Sequence, residues 1–286
     1  MLNVSVVIPA FQAKSFIGRA VRSVLSQTSP AWEIVIVSDD GVDYGLLLGE
    51  LGLADKRIRS VSTGVVGSGP ANARNVGLDA AAGRIVAMLD ADDALAPKAL
   101  AGLVPQALEH GAAYSRMRII EHATGEELPS FDRPLESGLV NLADILTSQI
   151  HSYAGIVFDR LRVGARWPSS RELWEDVHFF VKCFDYLDRI YHEAEPLYLY
   201  HRREGSICNR PTTGSEYRDA AEQLLVRLDC GDTLNLQNSG AREVYRQFLM
   251  RALRLETTFL EDLANGRCRD YRDFVARRLP LFHQLG

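Results

Sequence analysis

Carboxylates stand in this chain where cleft chemistry is easiest to build. Asp90, Asp92 and Asp93 fall within four positions straight after the apolar run Ile85 to Leu89, and Asp39 and Asp40 close a second β-branched run, Ile34 to Val37. Three ionised carboxylates so close in a partly buried site raise one another's pKa or demand a counter-ion. The nearest bases along the chain, Arg84 and Lys98, lie beyond the strand and the loop. A divalent cation meets the need, and oxygen-only ligands suit a hard ion such as Mg2+ or Mn2+. Such a site fits a diphosphate substrate, whose oxygens complete the coordination and whose charge the metal offsets as it leaves. The plainer reading is that acids after a strand form turns, and that Asp93, before Ala94 and Leu95, caps a helix.

Three further groups could join this chemistry. Gly64-Val65-Val66-Gly67-Ser68-Gly69 leads into a helix at Pro70, but the third glycine of a dinucleotide turn is replaced by Asn72, and the Lys-Ser/Thr ending of a P-loop is missing. A nicotinamide enzyme and a nucleoside triphosphatase are therefore poorly supported. The loop could still cradle an anion at a helix N-terminus, with Arg74 one turn in reaching back to a phosphate. Otherwise Arg74 lies on a solvated helix face. Glu175 and Asp176 follow Trp174 near the start of a helical pattern, where the helix dipole alone favours acids.

The elements that must position these groups read as an α/β fold. Short β-branched runs alternate with helical patterns over the first 90 or so residues, the signature of βαβ units around a mostly parallel sheet flanked by helices. Val4 to Ile8 reads as the first strand, stopped by Pro9, which cannot donate to a ladder. A helix with apolar positions Phe16, Ile17, Ala20, Val21, Val24 and Leu25 follows. Ile34 to Val37, Ile58 to Val61 and Ile85 to Leu89 supply three more strands, and a helix spans Pro70 to Ala82. If the sheet is parallel, the strand tips bearing Pro9-Ala10-Phe11, Asp39-Asp40 and Asp90 to Asp93 share one edge, the ligand-binding edge of open α/β sheets. Further on, a helix near Lys98 to Glu109, a strand near Tyr114 to Ile120 and a polar loop through Asp132 are expected. Ser169 with Glu172, and Thr213 with Glu216, have the spacing of capping boxes. The first would open a helix carrying Leu173, Trp174, Val177, Phe180, Val181, Phe184 and Leu187. From Thr213 onward the chain reads as helix.

Composition bounds the partners. With 286 residues, 47% hydrophobic and 24% charged, the chain is neither disordered nor fibrous. A net charge of -5 argues against general nucleic-acid binding. The four cysteines, Cys183, Cys208, Cys230 and Cys268, are too scattered for a zinc knuckle or redox pair and fit a reducing compartment. No apolar run approaches the ~18 residues of a spanning helix, and no signal-peptide pattern opens the chain. A cytoplasmic protein is expected, with a peripheral hold on the inner face of the cell membrane left open.

Four ordered motifs carry a resemblance. Val4-Ser5-Val6-Val7-Ile8-Pro9-Ala10-Phe11, Glu33 to Gly41, Ala73-Arg74-Asn75-Val76-Gly77 and Leu89-Asp90-Ala91-Asp92-Asp93 resemble glycosyltransferase family 2, the inverting nucleotide-sugar transferases of the Rossmann-like GT-A fold. The resemblance covers roughly residues 1 to 210. It implies a catalytic domain over residues 1–212, a nucleotide diphosphate-sugar donor, usually a uridine one, and a divalent metal, Mn2+ or Mg2+. Pro9, Ala10 and Phe11 would then line the nucleoside pocket, Asp39 or Asp40 would meet the base, and Arg74 would steady the diphosphate. Asp90, Asp92 and Asp93 would hold ribose and metal. The family's DDGSTD stretch is here Asp39-Asp40-Gly41-Val42-Asp43, one residue short and without the hydroxyl. The resemblance also places the general base in an acidic pair that Glu175-Asp176 matches, with Asp176 the base. An α-linked donor would give a β-linked product, the acceptor being a saccharide, in one version lipid-linked.

Near Tyr200 the family shows an aromatic, an arginine, a histidine and Gly-Ser. Here the run is Tyr200-His201-Arg202-Arg203-Glu204-Gly205-Ser206. His201 enters as a further metal ligand, or Arg202 or Arg203 as a clamp on the diphosphate. The helical region 213–286 lies outside the resemblance. Its arginines, Arg242 to Arg278, interleave with Phe248, Leu249, Leu253, Phe259, Leu260, Phe274, Leu279 and Phe282, and this pattern suits either an anionic lipid surface or, more simply, helices packed on the sheet or on another subunit. Two other functions compete: a sugar-nucleotide pyrophosphorylase, which would want a glycine-rich, lysine-bearing loop after the first strand, and a nucleotide-sugar-binding protein without turnover.

Overall fold

The computed structural model describes residues 4–29, 31–130, 135–148, 155–168, 173–203, 212–269, 273, 274 and 277. In chain order the elements are β1 (Val4–Ala10), α1 (Ile17–Leu25), β2 (Trp32–Ser38), α2 (Tyr44–Glu50), β3 (Ile58–Ser62), α3 (Pro70–Ala80), β4 (Ile85–Met88), β5 (Ala94–Leu95), α4 (Ala99–His110), β6 (Ala112–Glu121), β7 (Glu127–Leu128), β8 (Gly138–Val140), α5 (Leu142–Ser148), β9 (Val157–Asp159), α6 (Glu175–Cys183), β10 (Ile190–Arg202), α7 (Thr213–Asp229) and α8 (Ser239–Ala264).

All strands join one sheet in the order β3-β2-β1-β4-β9-β6-β10-β5, with β7 on β6 and β8 on β10. The first four strands are parallel, each linked to the next through a helix. Beyond β4 the sheet is mixed. Here β9 runs antiparallel to both β4 and β6, while β10 runs parallel to β6 and antiparallel to β5.

Period-two alternation in β1 sorts its side chains between two layers. Val4, Val6, Ile8 and Ala10 pack with α1, α2 and α4, whereas Val7 joins Val35, Val37, Val86 and Met88 beneath α3 and α6. Each such buried Val or Ile contributes about 1.5–3 kcal/mol. A one-residue slip would send every one of them to the wrong layer, so the register holds. Helix α3 lies close enough that a Cβ on Gly77 would stand 2.3 Å from Val7 Cγ1 and 3.0 Å from Val37 Cγ2. Only glycine permits that approach.

The C-terminal helices join this core. Ala221, Leu224 and Leu225 of α7, with Tyr245, Phe248 and Leu249 of α8, belong to the same buried cluster as α3, α6 and the sheet. Phe259 and Phe274 are also buried. These apolar side chains are turned inward and offer nothing to a lipid surface, while Leu279 and Phe282 lie outside the described residues. Among the described residues no helix is long and apolar enough to cross a membrane.

Several boundaries differ from expectation. Strand β1 continues through Pro9 to Ala10, and α3 ends at Ala80 rather than Ala82. The Ala94–Leu95 pair is a short strand and not a helix start. Helix α6 begins at Glu175, and the capping box expected at Ser169 and Glu172 falls on residues outside those described. Thr213 is the first residue of α7 rather than its cap, and Thr212 instead donates its hydroxyl to Glu216 at 2.7 Å. The ends of α3 and α7 shift by a residue or two because few interactions decide them.

Candidate active site

The strand order reverses at β1: β2 and β3 lie on one side and β4 on the other. Such a switch point opens a crevice at the carboxyl ends of the strands. Pro9 makes the fork. Ala10 C=O accepts from Asp39 N–H on the β2 side and Val7 C=O accepts from Leu89 N–H on the β4 side, both near 3 Å. By alternation the nitrogen of Pro9 faces β4, where no ladder bond follows, so the strand stays paired to β2 but parts from β4.

The tip of β2 organises one wall. Asp39, buried, accepts from Thr63 Oγ1 at 2.8 Å, Ser68 N–H at 2.9 Å, the Ser68 hydroxyl and Gly69 N–H at 2.9 Å. Burial would raise its pKa, yet these donors, Ser68 first, hold it below the usual carboxylate value. It therefore fixes the glycine-rich loop. Asp40 accepts from Gln12 N–H at 2.7 Å, Tyr44 Oη at 2.9 Å and Val42 N–H at 3.1 Å, and is likewise depressed in spite of burial. Asp43 caps α2 by accepting from Leu46 N–H at 2.9 Å. Ala10 is buried, and Phe11 stands 49% exposed at the mouth, its ring 3.8 Å from where a Cβ on Gly67 would lie.

The turn after β4 forms the opposite wall. Its three aspartates do not converge on one point; each finds a different partner. Asp90 accepts from Arg74 Nη2 at 3.0 Å, and Asp92 accepts from Arg203 Nε at 2.7 Å while its carbonyl takes Arg19 Nη2. Asp93, expected among the metal ligands, is 1% exposed and has both oxygens occupied, by Tyr198 Oη at 2.7 Å and His201 N–H at 2.8 Å. Tyr198 in turn accepts Asp90 N–H at 3.2 Å, so one hydroxyl on β10 stitches both ends of the turn. Burial first, then Asp90 and Asp92, push the Asp93 carboxyl upward. The His201 imidazole is pushed down to about 4, by burial and then by Arg19 and His122. It is neutral at pH 7 and cannot serve as a cationic clamp. Arg203 also lies over the Phe16 ring, 4.9 Å from its centroid.

Arg74 joins these walls to α6. It is buried beneath α3, not solvated, and its Nη1 donates to Glu175 Oε1 at 3.2 Å while Nη2 holds Asp90. Burial would lower its pKa, but Asp90, Glu175 and Asp176 outweigh that and hold it raised. Glu175 is raised by burial and by Asp176, against the pull of Arg74. Asp176 is raised by burial, with Arg74 opposing. Its Oδ1 accepts Val177 N–H at 2.8 Å.

The counter-charge is thus supplied in part by arginines, Arg74, Arg203 and Arg19, rather than by Arg84, which pairs with Asp159 at the far end of β4. Arg19 carried no sequence signal, being one charged residue on the polar side of α1. Tyr198 was hidden in a strand-like run. Among the described residues no group of three or more His, Cys, Asp or Glu could by itself hold a metal ion. Asp90 and Asp92 keep side chains 31% and 27% exposed, so each is still open to solvent, and carboxylate oxygens are the ligands that suit a hard cation. The arrangement can bind an anionic group at the fork and accept a proton beside it.

Known proteins resemble this chain in sequence and in fold. The chain is 28% identical over 222 residues to the succinoglycan biosynthesis protein ExoO of Rhizobium meliloti (strain 1021), covering 72% of this chain and 62% of that protein. It is 38% identical over 113 residues to the putative teichuronic acid biosynthesis glycosyltransferase TuaG of Bacillus subtilis (strain 168), covering 39% and 44%. Over 90 residues it is 38% identical to the UDP-Glc:alpha-D-GlcNAc-diphosphoundecaprenol beta-1,3-glucosyltransferase WfgD of Escherichia coli, covering 32% and 35%. The chain thus spans less than two thirds of the length of each of these relatives. Among solved structures, S. aureus TarS 1-349 in complex with UDP-GlcNAc shares the fold with a TM-score of 0.65 at 20% identity, covering 86% of this chain and 71% of that one. The family model for glycosyl transferase family 2 matches residues 5–160, from the first strand through the last strand pairing with β4. With more than half its length matched, this chain belongs to glycosyl transferase family 2.

Proposed function

We propose that the chain moves a hexose from a uridine diphosphate sugar to a saccharide, free or lipid-linked, with inversion at the anomeric carbon. Residues 1–212 supply the donor site and the base, with α7 and α8 packed beside them. The observation that carries this reading is the bridge made by Arg74, which puts the first acid of the Asp90 turn and Glu175, the neighbour of Asp176, on one guanidinium. Donor-side and acceptor-side carboxylates are then neighbours across one cleft, as a direct displacement requires. The UDP-GlcNAc named with TarS and the UDP-Glc named with WfgD support a uridine donor.

In this mechanism Phe11 and the buried Ala10 line the nucleoside slot beside Pro9, and Asp39 and Asp40 hold its rim. Asp90 and Asp92 are the residues that would hold a Mn2+ or Mg2+ ion; Asp93 keeps their turn in place through Tyr198, and His201, neutral, would be available only as an uncharged ligand. The ion, when bound, offsets charge on the departing diphosphate. Arg203 is the cation that steadies it, while Arg74 is committed to Asp90 and Glu175. Asp176 takes the proton of the acceptor hydroxyl as that oxygen bonds to the anomeric carbon, and the carbon–oxygen bond to the diphosphate breaks with its electron pair leaving on UDP. The raised pKa of Asp176 makes its carboxylate a stronger base than an ordinary aspartate.

The test is a thermal-shift screen of UDP-glucose, UDP-galactose and UDP-GlcNAc with and without Mn2+, followed by UDP release with saccharide and diphosphate-linked saccharide acceptors. Metal-dependent stabilisation by one donor and acceptor-dependent UDP release are expected. Absence of stabilisation by every nucleotide sugar overturns the reading.

A further inference from the structure

Trp174 has backbone angles of φ 71 and ψ 17, the left-handed region. For a bulky residue without special backbone freedom this is strained, and such strain persists only where the surroundings over-determine it. What surrounds Trp174 comes from the far end of the chain. Its indole N–H donates to Tyr217 C=O at 3.3 Å. The Tyr217 ring of α7 meets it edge-on at 4.6 Å and 81°, and the Phe248 ring of α8 at 5.4 Å and 88°. Both are favourable aromatic geometries. On the other side, Trp174 C=O accepts His178 N–H at 2.8 Å and so starts the α6 ladder. The next two residues are Glu175 and Asp176.

We propose that Trp174 is the positioning residue of the acid pair, clamped in its left-handed turn by Tyr217 and Phe248, so that the C-terminal helices set where Asp176 meets the acceptor. The inference rests on Asp176 being the base of the proposed transfer. A tryptophan released from α7 and α8 relaxes to the α or β region, which rotates the peptide ahead of α6 and swings both carboxylates. Arg74 holds Glu175 by a hydrogen bond and acts on Asp176 through its charge, while Asp176 is fixed by Val177 N–H within the turn, so its placement follows the turn. A tryptophan serving only as core would need no positive φ.

The test compares Trp174→Phe, Trp174→Gly and Phe248→Leu in the full chain. Phenylalanine keeps the ring contacts. Glycine accepts φ 71 without strain but removes the rings, which separates the clamp from backbone preference. Three quantities are read: UDP affinity with Mn2+ by calorimetry, kcat and KM for UDP release from the UDP-sugar that stabilises the wild type best (UDP-glucose if none does), and hydrogen exchange of peptides within 173–183. Because a displacement of ~1 Å at a reacting group costs up to about 100-fold, Trp174→Gly should lower kcat by roughly 30-fold and Phe248→Leu by about 5-fold, with KM and UDP affinity within about 2-fold. Trp174→Phe should recover kcat to within about 3-fold. Exchange should quicken in 173–183 for Trp174→Gly and Phe248→Leu and stay unchanged in β1 and β4. Wild-type kcat in Trp174→Gly, or a loss of UDP affinity in step with kcat, overturns the proposal. If the wild type turns over no UDP-sugar, the transferase reading fails by itself; exchange then decides the clamp, and unchanged protection in 173–183 ends it.

Discussion

Arg74 and Glu175, 101 residues apart in the chain, meet at 3.2 Å, and the same guanidinium holds Asp90 at 3.0 Å. A lysine could not bridge the two, since its single ammonium lacks the planar fork. Arg74→Lys should therefore behave as a loss. The pairs lie between exposed ones, worth about 0–1 kcal/mol, and fully buried ones, whose breakage costs about 3–5 kcal/mol, so a destabilisation of about 2 kcal/mol is expected in denaturant unfolding. An unchanged midpoint would mean the bridge contributes nothing.

Asp176→Asn removes the proton acceptor and leaves its shape. UDP release should fall by about 10²–10⁴-fold while donor affinity, by calorimetry, stays within about 2-fold. Undiminished turnover would assign the base elsewhere, with Glu175 next in line.

Asp92→Asn should abolish the Mn2+-dependent part of the thermal shift produced by a nucleotide sugar and leave the metal-independent part. The Arg203 contact at 2.7 Å would also weaken, from a charged to a neutral acceptor. Full retention of the Mn2+ effect would remove Asp92 from the metal's ligands.

Tyr198→Phe deletes one hydroxyl that serves two partners, Asp90 N–H and Asp93 Oδ2. Leaving buried polar groups unsatisfied costs about 1–3 kcal/mol. Lower stability is expected together with weaker UDP binding, since the turn carrying Asp90 and Asp92 loosens. Lost stability with undiminished affinity would show that the turn holds its shape without the tyrosine.

The acid pair gives a pH dependence of known sign. Burial raises both folded-state values above those of ordinary carboxylates, so the base becomes active only as pH climbs through that raised range. Over the same window the pair's contribution to stability declines, because the folded protein holds its protons more tightly than the unfolded chain does. The limb belongs to the coupled pair rather than to either residue. Measured from acid to neutral pH, kcat/KM should rise while Asp176→Asn gains melting temperature relative to wild type. A melting-temperature difference independent of pH would contradict the raised value.

How much of this was legible in the chain varies with the range of the interaction. The parallel half of the sheet was, because Val4 to Ile8 and Ile34 to Val37 are short apolar runs with a helix after each, Ile85 to Leu89 is another such run, and local pattern fixes local structure. The grouping of Asp39, Asp40, Asp90 and Asp92 at one edge followed from the parallel arrangement. The partners did not. That Arg74 turns from phosphate towards Asp90 and Glu175, or that Asp93 faces Tyr198 rather than the cleft, depends on contacts across 16, 101 and 105 positions, which no spacing encodes. The mixed half of the sheet was equally hidden, since β9 is only three residues long. Trp174 was visible as a residue but not as a conformation, because its angle is imposed by helices that follow it by more than 40 positions.

The fork at Pro9 bears on how a substrate arrives. A seam closed by backbone hydrogen bonds would have to be unzipped before anything entered, and the energy for that would come out of binding. Here the imino acid leaves no such seam. The two strands are already parted there, so capture of a diffusing molecule is governed by encounter and charge.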